Sequence, residues 1–344
     1  MSTLNEIMKD VNKKFKEDII HVGVASYDYV RIPFTSPRLN WMTFGGLPVG
    51  KLIEFYGEAG SGKTTTALDS VANYMHSDDD RRVLYVDAEH TLDTVWASKL
   101  GVDVSKLILI EPTNQGAEEI FQIALDAMDT GEVGLVVIDS LGVMVSVQAQ
   151  DKTLTEKTYG GISAALTQFS EKAVGLCNKH KCTLIGINQQ REDLRSMFGG
   201  MKTVGGEAWR FNVSVRIEFR KGKFFDANGN ELTQGAENPA GNYVMATMTK
   251  NKTCPPLRRQ GRYTLNYIGG IDYFKDLVEV AIESDNIIKS SAWYSILDKE
   301  TGEELAKVQG VQKVYEYLSE HEDVLKKIED EINKQIQDLE YKMS

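Results

Sequence analysis

The sequence predicts an α/β chain built on a mostly parallel central sheet, and three observations carry that expectation. Short, nearly continuous apolar runs recur from Lys51 to about Arg220: KLIEFYG, RVLYVDAE, LILIEP, GLVVIDS, CTLIGINQ and SVRIEFR. Stretches of 3.6-residue periodicity, such as GAEEIFQIALDAMDTG, separate them. Strands apolar on both faces that alternate with helices belong to a parallel sheet covered by helices on each side. The third observation is a glycine-rich loop, GEAGSGKT, between the first of these strands and the first helix.

Taken in order, the first 18 residues read as an amphipathic helix, with Leu4, Ile7, Met8, Val11 and Phe15 three and four apart. A β-rich piece (HVGVASYDYVRIPF) and a turn-rich one (SPRLNWMTFGGLPVG) follow. Residues 1–35 thus form an arm with no core of its own, and residues 36–271 form the α/β core. Late in that core come a turn signal at DANGNE and a strand, NYVMATMTKNK. Beyond about Gly270 the pattern turns helical and charged, and residues 272–344 read as a small C-terminal domain. Its last helix carries the apolar stripe Leu325, Ile328, Ile332, Ile336 and Leu339.

Composition narrows the function classes. The chain has 344 residues, 42% of them hydrophobic, enough for a sizeable core. No run approaches 18 uncharged apolar residues, which argues against a spanning helix, and the N-terminus lacks the apolar segment of a secretory signal. Three cysteines argue against a disulfide framework or a structural zinc site and for a reducing compartment, so a cytoplasmic protein is expected. The net charge of −11 means that any nucleic-acid contact must be made by local basic loops.

Gly57, Glu58, Ala59, Gly60, Ser61, Gly62, Lys63 and Thr64 satisfy GxxxxGK[ST], with Thr65 continuing into the helix. Glycines let successive N–H groups converge on phosphate, and the helix N-terminus adds its positive end. Lys63 would reach the β- and γ-phosphates and the Thr64 hydroxyl would ligate Mg²⁺, so the expected ligand is ATP with magnesium. Asp139, ending the buried run LVVID, is the expected second oxygen donor to that ion. Asp87 and Glu89 end another strand; on a period of two they share one face. Either could polarise an attacking water, or both could be solvated strand-end acids.

The series GEAGSGKTT, VDAEHTLD, VIDS, INQQR, GGEAWRF, TKNK and SAWYS resembles the bacterial RecA recombinases in order and spacing, over about residues 1–300. The resemblance implies a RecA-type ATPase core with a helix-strand N-terminal arm and a small α/β C-terminal domain. It implies a DNA-dependent ATPase that forms a filament on single-stranded DNA and exchanges strands with a homologous duplex in recombination and repair. Distance from the housekeeping pattern points to a phage-encoded or otherwise divergent member, acting in a bacterial or phage-infected cell.

The resemblance also suggests roles. Glu89 corresponds to the general base, and Gln189 to the γ-phosphate sensor. Asp93, Trp96 and Tyr267 correspond to residues of the adenine pocket. Lys250 and Lys252 match paired lysines that reach a neighbour's γ-phosphate, although sequence alone fits a solvated strand face. About 147–161 corresponds to a first DNA loop. The second, 190–206, carries Arg191, Arg195, Met197, Phe198, Gly199, Gly200 and Lys202 and closes on Gly205 and Gly206; without the resemblance it would equally suit an active-site lid. Basic and apolar side chains together suit sequence-tolerant binding to a single strand. Lys172 is a candidate backbone contact. The arm would dock on the next subunit, giving a helical filament with ATP at the interface. Single-strand-binding and mediator proteins would be further partners. Departures from the family include Glu207 where asparagine is usual, Trp96 in place of a commoner tyrosine, and a mixed-charge C-terminal helix. A ring helicase and a small-molecule P-loop kinase are the alternatives left open.

Overall fold

The structure is a computed structural model that describes residues 3–16, 20, 29–150, 161–192, 201–233 and 235–337. Helix α1 (Leu4–Phe15) leads through β1 (Arg31–Ile32), α2 (Pro37–Thr43) and β2 (Leu47–Pro48). Next come β3 (Leu52–Gly57), α3 (Lys63–Met75), β4 (Arg82–Asp87), α4 (Thr94–Lys99), β5 (Leu107–Ile110) and α5 (Ala117–Asp129). They are followed by β6 (Val133–Asp139), α6 (Val147–Gln150), α7 (Gly161–His180), β7 (Thr183–Glu192), β8 (Met201–Thr203) and α8 (Gly206–Asn212). Then come β9 (Val215–Phe225), β10 (Glu231–Leu232), β11 (Gly241–Asn251), β12 (Gln260–Asn266) and β13 (Gly270–Ile271). The chain finishes with α9 (Tyr273–Glu283), β14 (Ile287–Ser290), β15 (Trp293–Leu297), β16 (Glu304–Gln309), α10 (Val311–Glu320) and α11 (Glu322–Gln337).

The main sheet runs β13-β12-β11-β9-β3-β7-β6-β4-β5. From β9 to β5 every neighbouring pair is parallel, as the apolar runs predict; β11, β12 and β13 extend it antiparallel. One face packs an apolar cluster around Leu68, Val71 and Phe219, with α3; the other packs Phe121, Phe169 and Trp209, with α5, α7 and α8. The carboxyl ends of β3, β4, β6 and β7 therefore converge on one edge, where open α/β sheets bind ligands.

Helix α1 carries a complete capping box, with Thr3 and Glu6 satisfying each other's backbone N–H groups. It buries none of its residues: Leu4 is 70% exposed and Phe15 56%.

The C-terminal region is α/β, as the resemblance implies, and not helical throughout as its periodicity suggests. It holds a three-stranded antiparallel sheet, β14-β15-β16, between α9 and α10. Val324, Ile328, Ile332 and Ile336 of α11 are buried in its cluster, which also takes in Trp41 from α2. Leu325 is only partly buried, and Leu339 lies outside the described residues. The region is tied to the core through buried Asp276, which accepts from Ser36 Oγ at 2.6 Å and Thr264 N at 2.9 Å. The Arg258 guanidinium, which lies 3.4 Å over the Trp41 ring, also donates to the Gln335 carbonyl of α11 at 3.2 Å. No helix among the described residues is long and apolar enough to cross a membrane.

Candidate functional site

The loop after β3 has the shape its glycines dictate. Gly57 sits at φ 152°, where a Cβ would lie 2.1 Å from the Phe219 carbonyl oxygen, so only glycine fits. Gly60 and Gly62 have φ 68° and 94°, and α3 starts at Lys63. Lys63 is 7% exposed and bends back over its own loop, donating to the carbonyls of Gly57 (3.1 Å) and Glu58 (2.6 Å). Burial lowers its pKa, opposed by Asp139, Glu89 and Glu58.

Asp139 ends β6 next to this loop. One of its oxygens accepts from Thr64 Oγ1 at 2.7 Å and from Tyr85 OH at 3.0 Å. Burial raises its pKa, with Glu89 and Asp87 adding to the effect and the two hydrogen bonds opposing it. A hydroxyl and a carboxylate in contact form a hard-oxygen pair of the kind magnesium takes from proteins, which usually lend it only one or two ligands. The donor set fits the ion.

Asp87 and Glu89 separate in role. Strand β4 stops at Asp87, and Glu89 lies in the turn beyond it, so the two do not share a strand face. Asp87 is committed to the backbone of that turn, accepting from Thr91 N and Leu92 N at 3.1 and 2.9 Å. Glu89 Oε1 faces the site, where it accepts from Ser140 Oγ and, at 2.9 Å, from Gln189 Nε2. Gln189 thus contacts Glu89 directly from the next-but-one strand, β7.

Residues 60–65 line a cavity of about 420 Å³ together with Trp96, Tyr267, Leu265, Asn242 and Lys221. Trp96 and Tyr267 bring two aromatic rings to it, and Tyr267 OH donates to Asn242 Oδ1 at 2.7 Å. Asp93 lies outside that lining: its Oδ1 caps α4, accepting from Val95 N and Trp96 N at 2.9 Å. Tyr85, Ser140, Asn242 and Lys221 escaped sequence reasoning, because each is brought in by a different strand and no local spacing marks it.

Lys250 and Lys252 do reach one side together. Both donate to the Phe211 carbonyl, at 2.9 and 2.8 Å, and Lys250 also to that of Arg210. They cap the C-terminus of α8, a favourable place for cations, and neither lines the cavity. The other end of α8 is built on Gly205 (φ 107°) and Gly206 (φ 68°).

The roots of the second loop pair as β7 and β8, with Gln190 opposite Thr203 and Arg191 opposite Lys202. The side chains of Arg191 and Lys202 lie outside the described residues, as do Arg195, Met197, Phe198, Gly199 and Gly200. So does most of the first loop, 151–160, between α6 and α7. Lys172 is exposed about 16 Å down α7 from that loop, in a groove it shares with Asp126 and Asp129. Glu207 bridges Arg210 at 3.1 Å, and both are exposed.

Comparison with known proteins agrees with this arrangement. The RecA N-terminal domain family matches residues 2–272, and the RecA C-terminal domain family matches residues 275–337. A protein of Bacillus licheniformis named Protein RecA is 32% identical over 335 residues, covering 96% of this chain and 91% of the relative. Its namesake in Fusobacterium nucleatum is 33% identical over 314 residues, 91% of this chain and 78% of the relative. A crystal structure of the RadB recombinase aligns with a TM-score of 0.47 at 21% identity, covering 67% of this chain and 94% of that one, too loosely to bear on the assignment. With both family domains matched in order and relatives aligned over nearly its whole length, the chain belongs to the RecA family.

Proposed function

We propose that this chain is a DNA-dependent ATPase that assembles on single-stranded DNA and pairs it with a homologous duplex. One observation carries the reading: β7 presents Gln189 to Glu89, and one residue further on begins the second loop. A change at the nucleotide is then mechanically close to a change at the DNA loop, as order-to-disorder switches require.

In this reading ATP lies along residues 57–65 with its base between the Trp96 and Tyr267 rings. Lys63 exchanges its carbonyl partners for phosphate oxygens. Thr64 and Asp139 hold Mg²⁺, which supplies charge neutralisation to the triphosphate. Glu89 takes the proton of the attacking water, oriented by Ser140 and Gln189. Lys250 and Lys252 leave their caps on α8 to serve the ATP of a neighbouring subunit, as an arginine finger does. Residues 190–206, residues 147–161 and Lys172 contact the strand.

Residues 1–35 serve as the oligomerisation arm, residues 36–271 as the ATPase core and residues 272–344 as the C-terminal domain. Two exposed apolar features support assembly: the unburied face of α1, and the end strand β5, whose Ile108 and Leu109 are each 38% exposed. Electron microscopy of the protein with ATP, magnesium and single-stranded DNA tests the assembly. Helical filaments are expected, and closed rings that unwind duplex DNA would favour a helicase.

A further inference from the structure

Strand β3 is apolar on both faces except at Glu54, which is fully buried three residues before Gly57. A charge there needs an explanation, because a buried ion pair commonly adds no stability over apolar residues of the same volume. Its partner is Arg216 on β9, 8% exposed and paired in register with Glu54. The rest of the cluster connects four functional segments. Asn188, next to Gln189, donates through Nδ2 to Glu54 Oε1 and to the Val204 carbonyl, each at 2.8 Å. Arg216 donates to Thr203 Oγ1 at 3.3 Å. Thr203 and Val204 are the last residues before Gly205, at the C-terminal root of the second loop. Across the sheet, Arg216 pairs in register with Lys250.

We propose that Glu54, Asn188 and Arg216 are positioning residues that hold the loop root, the Gln189 strand tip and the Lys250 strand in one frame with the P-loop strand. The proposal rests on the function proposed above and deepens it: the cluster is how a strand of DNA at 190–206 is felt at Glu89. Asn188 Oδ1 is buried with no hydrogen-bond partner among the described residues. A polar cluster left partly unsatisfied is not optimised for stability alone, which suits a joint that rearranges.

The test uses the full-length chain with Glu54→Gln and Thr203→Val, the second removing the loop-root hydroxyl that accepts from Arg216 while leaving Glu54 and Arg216 themselves in place. Affinity for ATP without DNA should stay within about twofold, while the single-stranded DNA needed for half-maximal ATPase stimulation rises about tenfold, the effect of one lost buried hydrogen bond. Amide hydrogen exchange on the same variants without DNA should quicken at residues 189–190 and 203–206 but not in α5. Wild-type DNA response with unchanged exchange in Thr203→Val and in folded Glu54→Gln would overturn the proposal; if Glu54→Gln does not fold, Thr203→Val alone decides. A wild-type protein that ignores DNA would sink the recombinase reading instead, and the exchange data would still report on the cluster.

Discussion

At the scale of single residues, the proposed function turns on Glu89. Its Oε1 is held by Ser140 and Gln189 and its neighbour Asp87 by the turn, so only one of the two acids is left for water. Glu89→Gln should cut hydrolysis by about 10²–10⁴ with ATP and DNA affinities unchanged, as loss of a general base does. A parallel loss of DNA affinity in filter binding would contradict that role. The spacing VDAEH made both acids visible, but period two misplaces Glu89, because the strand ends before it. Lys250 supplies a pH test. Burial, with Lys252 and Arg216 adding to it, lowers its pKa from 10.5 to about 8. Between those two values the unfolded chain binds the proton and the folded one does not, so this lysine makes stability rise with pH in that window. In the proposed function turnover recruits this lysine as a cation from its capped state, so DNA-stimulated turnover should fall as pH rises through about 8. Lys250→Arg, always charged, should remove that alkaline limb. Equal limbs in both proteins would assign the titration elsewhere.

At the scale of elements, α8 joins the loop root to the lysines and tolerates little change. A Cβ on Gly205 would sit 2.4 Å from Leu166 Cδ2 at φ 107°. Gly205→Ala should therefore destabilise the protein by about 1–3 kcal/mol in urea melts, the usual cost of a forced backbone region. An unchanged midpoint would mean that the helix start relaxes freely. Deleting residues 1–28, which spares the buried Ile32 and Phe34, should leave nucleotide binding intact and abolish filaments, read by light scattering on single-stranded DNA. Filaments that persist would assign assembly to another surface. Most of the parallel strands were legible to within a residue or two because their runs are nearly continuously apolar, whereas β7 and β9 continue to Glu192 and Phe225, beyond the runs that end at Gln189 and Arg220. Glu54, a single charge inside an apolar run, and Arg216, one of three charges in SVRIEFR, stayed hidden because neither stands out until the sheet order sets β3 beside β9. The lysine caps on α8 were invisible too, since they join residues about forty apart in sequence.

Over the whole molecule, one sheet edge collects the phosphate loop, the acids and the roots of both loops, while the C-terminal region packs against α2 far from that edge in sequence. That region was the least legible. Its strands are short and mix charge with apolar residues, as in ELAKVQ, so neither period stands out, and only the packed cluster with Trp41 reveals the layer. In the proposed function, DNA and a neighbouring subunit together switch on hydrolysis, and that coupling is open to a direct measurement. It is tested most directly by measuring ATP hydrolysis with and without single-stranded DNA in the wild type and in Lys250→Ala/Lys252→Ala. Strong stimulation by DNA is expected, falling by roughly 10³-fold or more in the double variant, as loss of a trans cation does. Turnover that is indifferent to both DNA and the lysines would contradict it.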